Sequence, residues 1–187
     1  MKSFLTLVIV LFMISPATTQ AQELSKKEQK ALQKELKKEQ QADEAAKRTL
    51  MIGFMVEHQD FVLEANRLQD AKGNSTSVSS MINFIACDSV HGVIQIGSDL
   101  YIGGNGVGGV TVEGPIANYK FTLNEKKGTY SLSYTVRSSI GIYDVRMSIY
   151  REGRAEATVT SNWPGRLNYS GYLIPSSVSK VYKGTSF

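Results

Sequence analysis

The sequence predicts a mainly β fold, an antiparallel meander of eight or nine strands curled into a barrel-like sheet and preceded by one long N-terminal helix. Three observations predict it. Apolar and polar residues alternate with period two through five successive segments between Tyr119 and Leu173. Short turn-like runs separate those segments, and a Lys/Glu/Gln/Ala-rich stretch without Gly or Pro stands before them all.

The chain opens with the three-part layout of a secretory signal: Lys2, an apolar run from Phe4 to Ile14 broken only by Thr6, then Thr19-Gln20-Ala21 as a small-x-small cleavage site. The run is shorter than the roughly 20 residues that a bilayer span needs. Residues 1–21 are therefore expected to be a signal peptide cleaved near Ala21, and the product periplasmic or secreted. No cysteine stands at the cleavage point to carry a lipid, so no membrane span or anchor is expected in the mature chain.

Residues 22–49 are expected to form a charged helical leader. Acids precede bases by four positions at Glu23/Lys27, Asp43/Lys47 and Glu44/Arg48, the order that supports a helix. Leu24, Ala31, Leu32 and Leu36 are too sparse for a sustained heptad, so the lysines read as a solvated face. From Leu50 the helix turns apolar. Leu50, Met51, Phe54 and Met55 make a stripe at helical spacing that is expected to dock on the following domain, the helix ending near Glu57.

Residues 50–187 form the expected antiparallel β domain. Strands are predicted at Phe61–Ala65, Met81–Cys87, Val93–Gly97 and Val110–Glu113. Further strands follow around Tyr119–Asn124, Tyr130–Arg137, Tyr143–Ile149, Ala155–Thr160 and Leu167–Leu173. Each exposes one polar face, so the sheet must hide the other by curling, with the helix around Leu50–Val56 covering part of it or plugging one end.

The 21 Lys/Arg against 17 Asp/Glu give a net charge of +4, and losing Lys2 with the signal lowers it by one. That excess is too small and too interspersed with acids to indicate nucleic acid. Cys87, the only cysteine, lies among Phe84, Ile85 and Ala86 and reads as a buried, inert thiol. His58 and His91 have no second ligand at metal spacing, so neither a metal nor a cofactor is expected.

Gly104 to Gly109 satisfies the G-x-G-x-x-G pattern by letter, but a strand follows where a phosphate-binding motif needs a helix. Gly103, Gly104, Gly106, Gly108 and Gly109 are read instead as a structural glycine loop between strands. No G-x-S-x-G elbow is present. Glu113, Asp144 and Glu156 are the acids to watch for a close carboxylate pair, which a hydrolase of glycosidic bonds requires. Asp88-Ser89-Val90 is similar to the Asp-Ser/Thr-apolar acceptor for O-glycosylation of exported proteins in some gut bacteria, which makes Ser89 a candidate modification site.

Tyr119, Tyr130, Tyr134, Tyr143 and Tyr169 are the candidate ligand-lining residues, since a curled sheet with these on its inner face can enclose an apolar or aromatic molecule. The alternative is that they fill the core. The function expected first is a non-enzymatic module binding a small ligand inside the barrel. An envelope interaction or structural protein using the polar sheet face or the charged leader comes next, with an envelope component as partner, and a hydrolase last.

The runs Gln95-Ile96-Gly97-Ser98, Gly104 to Gly114, Asn124 to Ser131, Gly165-Arg166-Leu167 with Tyr169 and Gly171, and Val181-Tyr182-Lys183-Gly184 carry a resemblance. From about Leu50 to the C-terminus the chain resembles the bacterial exported proteins of the domain of unknown function 4251 family. The resemblance implies a mainly β fold and an envelope or secreted protein of Gram-negative gut-type bacteria. It implies no activity and brings no functional residue with it.

Overall fold

The computed structural model describes residues 25–98, 105–162 and 165–186. The expected signal peptide with its cleavage site at Ala21, and Gly103 and Gly104 of the glycine loop, lie outside the described residues. The chain divides into two units, one up to Glu39 and one from Gln40 onward.

In the first unit, residues 26–39 are helical and all exposed, the opening of helix α1 (Lys26–His58). The helix starts where it does because of a Ser-x-x-Glu capping box. The Ser25 backbone N–H donates to Glu28 Oε2 at 2.8 Å, satisfying a donor that the helix itself cannot.

In the second unit, α1 runs on from Gln40 and becomes apolar on every side from Leu50 to Val56. The side that docks is not the expected stripe. Ile52, Met55 and Val56 are buried with Gly53, whereas Leu50, Met51 and Phe54 are 75%, 52% and 59% exposed. Of the four residues expected to dock, Met55 alone does so. The helix stops at His58 because Gln59 takes a left-handed backbone, φ +56°, and the first strand begins at the next residue.

The strands are β1 (Asp60–Gln69), β2 (Ser75–Ser77), β3 (Phe84–Asp88), β4 (His91–Ile96), β5 (Val110–Asn124), β6 (Thr129–Ser138), β7 (Gly141–Ile149), β8 (Arg154–Ser161) and β9 (Arg166–Ile174). Strands β3 to β9 pair in sequence order, each antiparallel to its neighbour, with β1 against β3. β1 also pairs with β9, from Val62↔Ile174 to Gln69↔Asn168, which closes eight strands into a barrel. The ninth, β2, adds to the last residues of β1. At the closure the two backbones touch: a Cβ on Gly171 would collide with the Glu64 carbonyl oxygen.

Two strand assignments change. The predicted segments Val110–Glu113 and Tyr119–Asn124 are one strand, β5, bent by a bulge between Ala117 and Lys120 where Asn118 adopts φ +56°. β2, Ser-Thr-Ser with every residue exposed, has no apolar face and is absent from the expectations.

Closure turns one face of each of the eight barrel strands inward. Phe61, Leu63 and Ala65 on β1, Leu132, Tyr134 and Val136 on β6, and Val145, Met147 and Ile149 on β7 belong to one buried cluster with the docked side of α1. The end of α1 lies across one mouth of the barrel. There Tyr119 Oη donates to the Val56 carbonyl at 2.7 Å, and Arg48 Nη1 donates to the Glu152 carbonyl at 3.4 Å.

Residues 175–186 run as a tail over the outer wall where β3, β4 and β5 pair. The cross-strand row Phe84↔Gln95↔Thr111 lies on that wall with all three residues buried, and the tail bonds directly to Gln95. Gln95 is the fastening. Its Nε2 donates to the carbonyls of Ile82 (3.1 Å) and Tyr182 (2.8 Å), and its Oε1 accepts from Thr111 Oγ1 (2.9 Å) and the Gly184 N–H (2.8 Å). All four hydrogen-bonding positions of this buried amide are filled, which is what makes its burial tolerable.

Candidate functional site

The five candidate tyrosines are all drawn into the core. Tyr134 and Tyr169 are fully buried, Tyr130 is buried, and Tyr119 and Tyr143 are half-buried against the same cluster. Tyr119 and Tyr134 stack with ring centroids 5.8 Å apart, and Tyr169 Oη donates to the Gln95 carbonyl at 3.3 Å. Tyr134 Oη has no hydrogen-bond partner among the described residues. Burial pushes the phenols of Tyr119, Tyr134 and Tyr169 upward, so none of them ionises at neutral pH.

The described part of the glycine loop is organised by Asn105, which is buried. Asn105 Oδ1 accepts the N–H groups of Val107 (3.1 Å) and Gly109 (2.9 Å), and its Nδ2 donates to Thr111 Oγ1 at 3.0 Å. Gly106 and Gly108 have φ of +77° and +73°, where a side chain would be strained. β5 follows directly, so the loop joins strand to strand. Ser89, the candidate glycosylation site, is exposed in the β3–β4 turn with φ +64°, and its hydroxyl donates to the His58 carbonyl at 3.1 Å.

The three acids are engaged separately. Glu113 meets Lys183 at 2.7 Å, Asp144 accepts from Thr135 Oγ1 at 2.7 Å, and Glu156 pairs with Arg154 at 3.0 Å. The Lys183 and Ser186 hydrogen bonds hold the Glu113 carboxyl below its usual range. No cluster of His, Cys, Asp and Glu able to hold a metal occurs among the described residues. Among them too, no helix is long and apolar enough to cross a membrane.

A concavity opens on the outward, polar face of the strands. It is a groove of about 860 Å³ that crosses β5, β6, β7, β8 and β9 and reaches β1 and Ser75 of β2. Its floor follows from register. Lys120, Ser133, Arg146, Thr158, Asn168 and Gln69 are successive cross-strand partners in one row. The adjacent row is Thr122, Ser131, Ser148, Glu156, Ser170 and Arg67. Within the first row Thr158 Oγ1 donates to Asn168 Oδ1 (2.8 Å), and Asn168 Nδ2 donates to Gln69 Oε1 (3.3 Å).

Sequence reasoning did not single out this groove. Among the described residues no carboxylate lies within ion-pair distance of Arg146. The signal was available in the outward positions of β6 to β9, which are mostly Ser, Thr, Asn or Arg. What the alternation could not supply was the register that aligns them into two rows.

The family model described as Domain of unknown function (DUF4251) matches residues 38–173. Among solved structures, the chain is similar to a DUF4251 family protein from Bacteroides eggerthii, with 26% identity and a TM-score of 0.60, over 76% of this chain and 95% of that one. Among curated proteins none matches significantly. The match takes in every strand of the barrel together with the part of α1 that enters its mouth, and on that ground the chain belongs to the domain of unknown function 4251 family.

Proposed function

We propose that the protein is exported, cleaved after Ala21, and acts in the periplasm or outside the cell as a non-enzymatic binding module whose ligand lies in the outward groove of β5 to β9. The observation that carries the binding reading is that groove: about 860 Å³, within the range of small-ligand sites, floored by hydroxyls, amides and cations. The barrel interior supports it by contrast, since the candidate tyrosines pack there against apolar neighbours, Tyr169 lining the groove as well. The export reading rests on the Lys2, Phe4–Ile14 and Thr19-Gln20-Ala21 pattern.

Two measurements test these readings. Thermal-shift screening against neutral and acidic carbohydrates should find ligands that raise Tm for the native chain and not for Ser148→Trp, whose indole occupies the groove floor. A ligand that stabilises both equally binds elsewhere and overturns the groove. Intact mass of the envelope fraction should show a chain beginning at Gln22, and retention of Met1 would overturn export.

A further inference from the structure

We infer that the occupant of the groove is an acidic glycan, a run of sugars bearing carboxylate or sulfate groups. This rests on the groove being the binding site and names its ligand class. Four cations line the groove, Arg67, Lys120, Arg146 and Arg166, and among the described residues none has a carboxylate within ion-pair distance. The one acid in the lining, Glu156, is already held by Arg154 Nη2 at 3.0 Å and by Tyr150 Oη at 3.3 Å. A chain whose charges are otherwise interspersed thus presents uncompensated positive charge to one concavity, which favours an anionic partner.

The spacing favours a polymer of sugars. Lys120 pairs with Ser133 and Ser133 with Arg146, so the two cations stand two strands apart, about 10 Å. A hydroxyl separates them, and further along the same row come Thr158, Asn168 and Gln69. Charges set roughly two strand spacings apart, with hydroxyl and amide groups between, match a sugar chain that presents acid groups along one side with hydroxyls between them. Guanidinium groups suit carboxylate and sulfate because they offer paired donors in one plane. A single-stranded nucleic acid would need successive aromatic platforms. Of the two aromatic lining residues Tyr169 is fully buried, which leaves Phe121 alone.

The test is fluorescence anisotropy of the purified chain with labelled oligogalacturonate, dextran sulfate oligosaccharide, neutral dextran and oligothymidylate. An acidic oligosaccharide should bind and neutral dextran should not, with affinity falling as salt is raised. Arg146→Gln and Lys120→Gln, both at exposed positions, should each weaken binding roughly tenfold. Replacing Lys37 by Gln, an equal loss of charge on the exposed leader, should not.

The galacturonate and sulfate arms say which anion is preferred, and either one showing groove dependence supports the inference. Oligothymidylate binding as tightly as the acidic sugars overturns it. So does acidic-sugar binding that responds to the leader variant and not to the groove variants. Neutral dextran binding that is abolished by Ser148→Trp but untouched by Arg146→Gln overturns the acidic ligand while leaving the groove standing. Absence of binding by every probe overturns the acidic ligand, and the Ser148→Trp screen then decides the groove.

Discussion

Two segments cover the barrel, and they do so by opposite chemistry. At the mouth, the end of α1 presents Ile52, Met55 and Val56 to an apolar interior, so the contact is driven by removing hydrocarbon from water. On the outer wall, the tail from Tyr182 to Ser186 lies over Gln95 and Thr111 and is held by hydrogen bonds to Gln95, Asn105 and Glu113. Apolar packing is tolerant of which side chain lands where, so long as volume is conserved. A buried amide with four partners is not, because each lost partner leaves a desolvated group behind. The mouth should therefore respond to size and the wall to chemistry.

The largest effect is expected at the wall. Gln95→Leu keeps the bulk but strands the Gly184 N–H and the carbonyls of Ile82 and Tyr182, at a cost of about 3 kcal/mol or more. Urea denaturation measures it, and a loss below about 1 kcal/mol would mean that the tail is not fastened by this amide. At the mouth, Ile52→Ala should cost about 2–5 kcal/mol, whereas Leu50→Ala, on the exposed side, should stay within about 0.5 kcal/mol. The reverse ranking would restore the docking stripe expected from sequence.

A smaller effect separates the two covers by pH. The folded Glu113 carboxyl is held below its ordinary value of 4.5 by its bonds to Lys183 and Ser186. Its stabilising contribution is complete above pH 4.5 and disappears as pH falls through the lower folded value. Both side chains are substantially solvated, so the contribution is about 1 kcal/mol or less. Urea titrations between pH 7 and 3 should show it in the native chain and not in Glu113→Gln. The smallest effect is expected from deleting residues 22–46, exposed wherever they are described, which should lower Tm by no more than about 2 °C. A fall of about 10 °C would show that the leader packs on the barrel.

How much of this was legible follows the same division. β6 to β9 announce themselves because each buries one face only, so alternation and burial coincide from Tyr130 to Leu173. β5 reads as two segments because Pro115 and the Asn118 bulge interrupt its alternation without ending its pairing. The docked side of α1 is illegible because Leu50 to Val56 is apolar all round, and a period cannot choose a side where every side qualifies. Gln95 and Asn105 are hidden for a different reason. A polar residue in a strand or a glycine-rich loop looks solvent-facing until the tail that covers it is placed. The groove belongs with them, since it depends on register between strands as far apart in the chain as Arg67 and Ser170, which are 103 positions apart.

The buried thiol gives the closed barrel a clock. Cys87 is shut inside, and desolvation raises its pKa to about 12. At pH 7 about one molecule in 10⁵ then carries the thiolate that an alkylating or disulfide reagent attacks. Were the chain in a compartment that oxidises thiols, the wall around this lone cysteine would keep it out of mixed disulfides without any reductant. Its rate of modification therefore counts how often that wall opens, and the same rate, read in variants of the helix and of the tail, tells which cover lifts first.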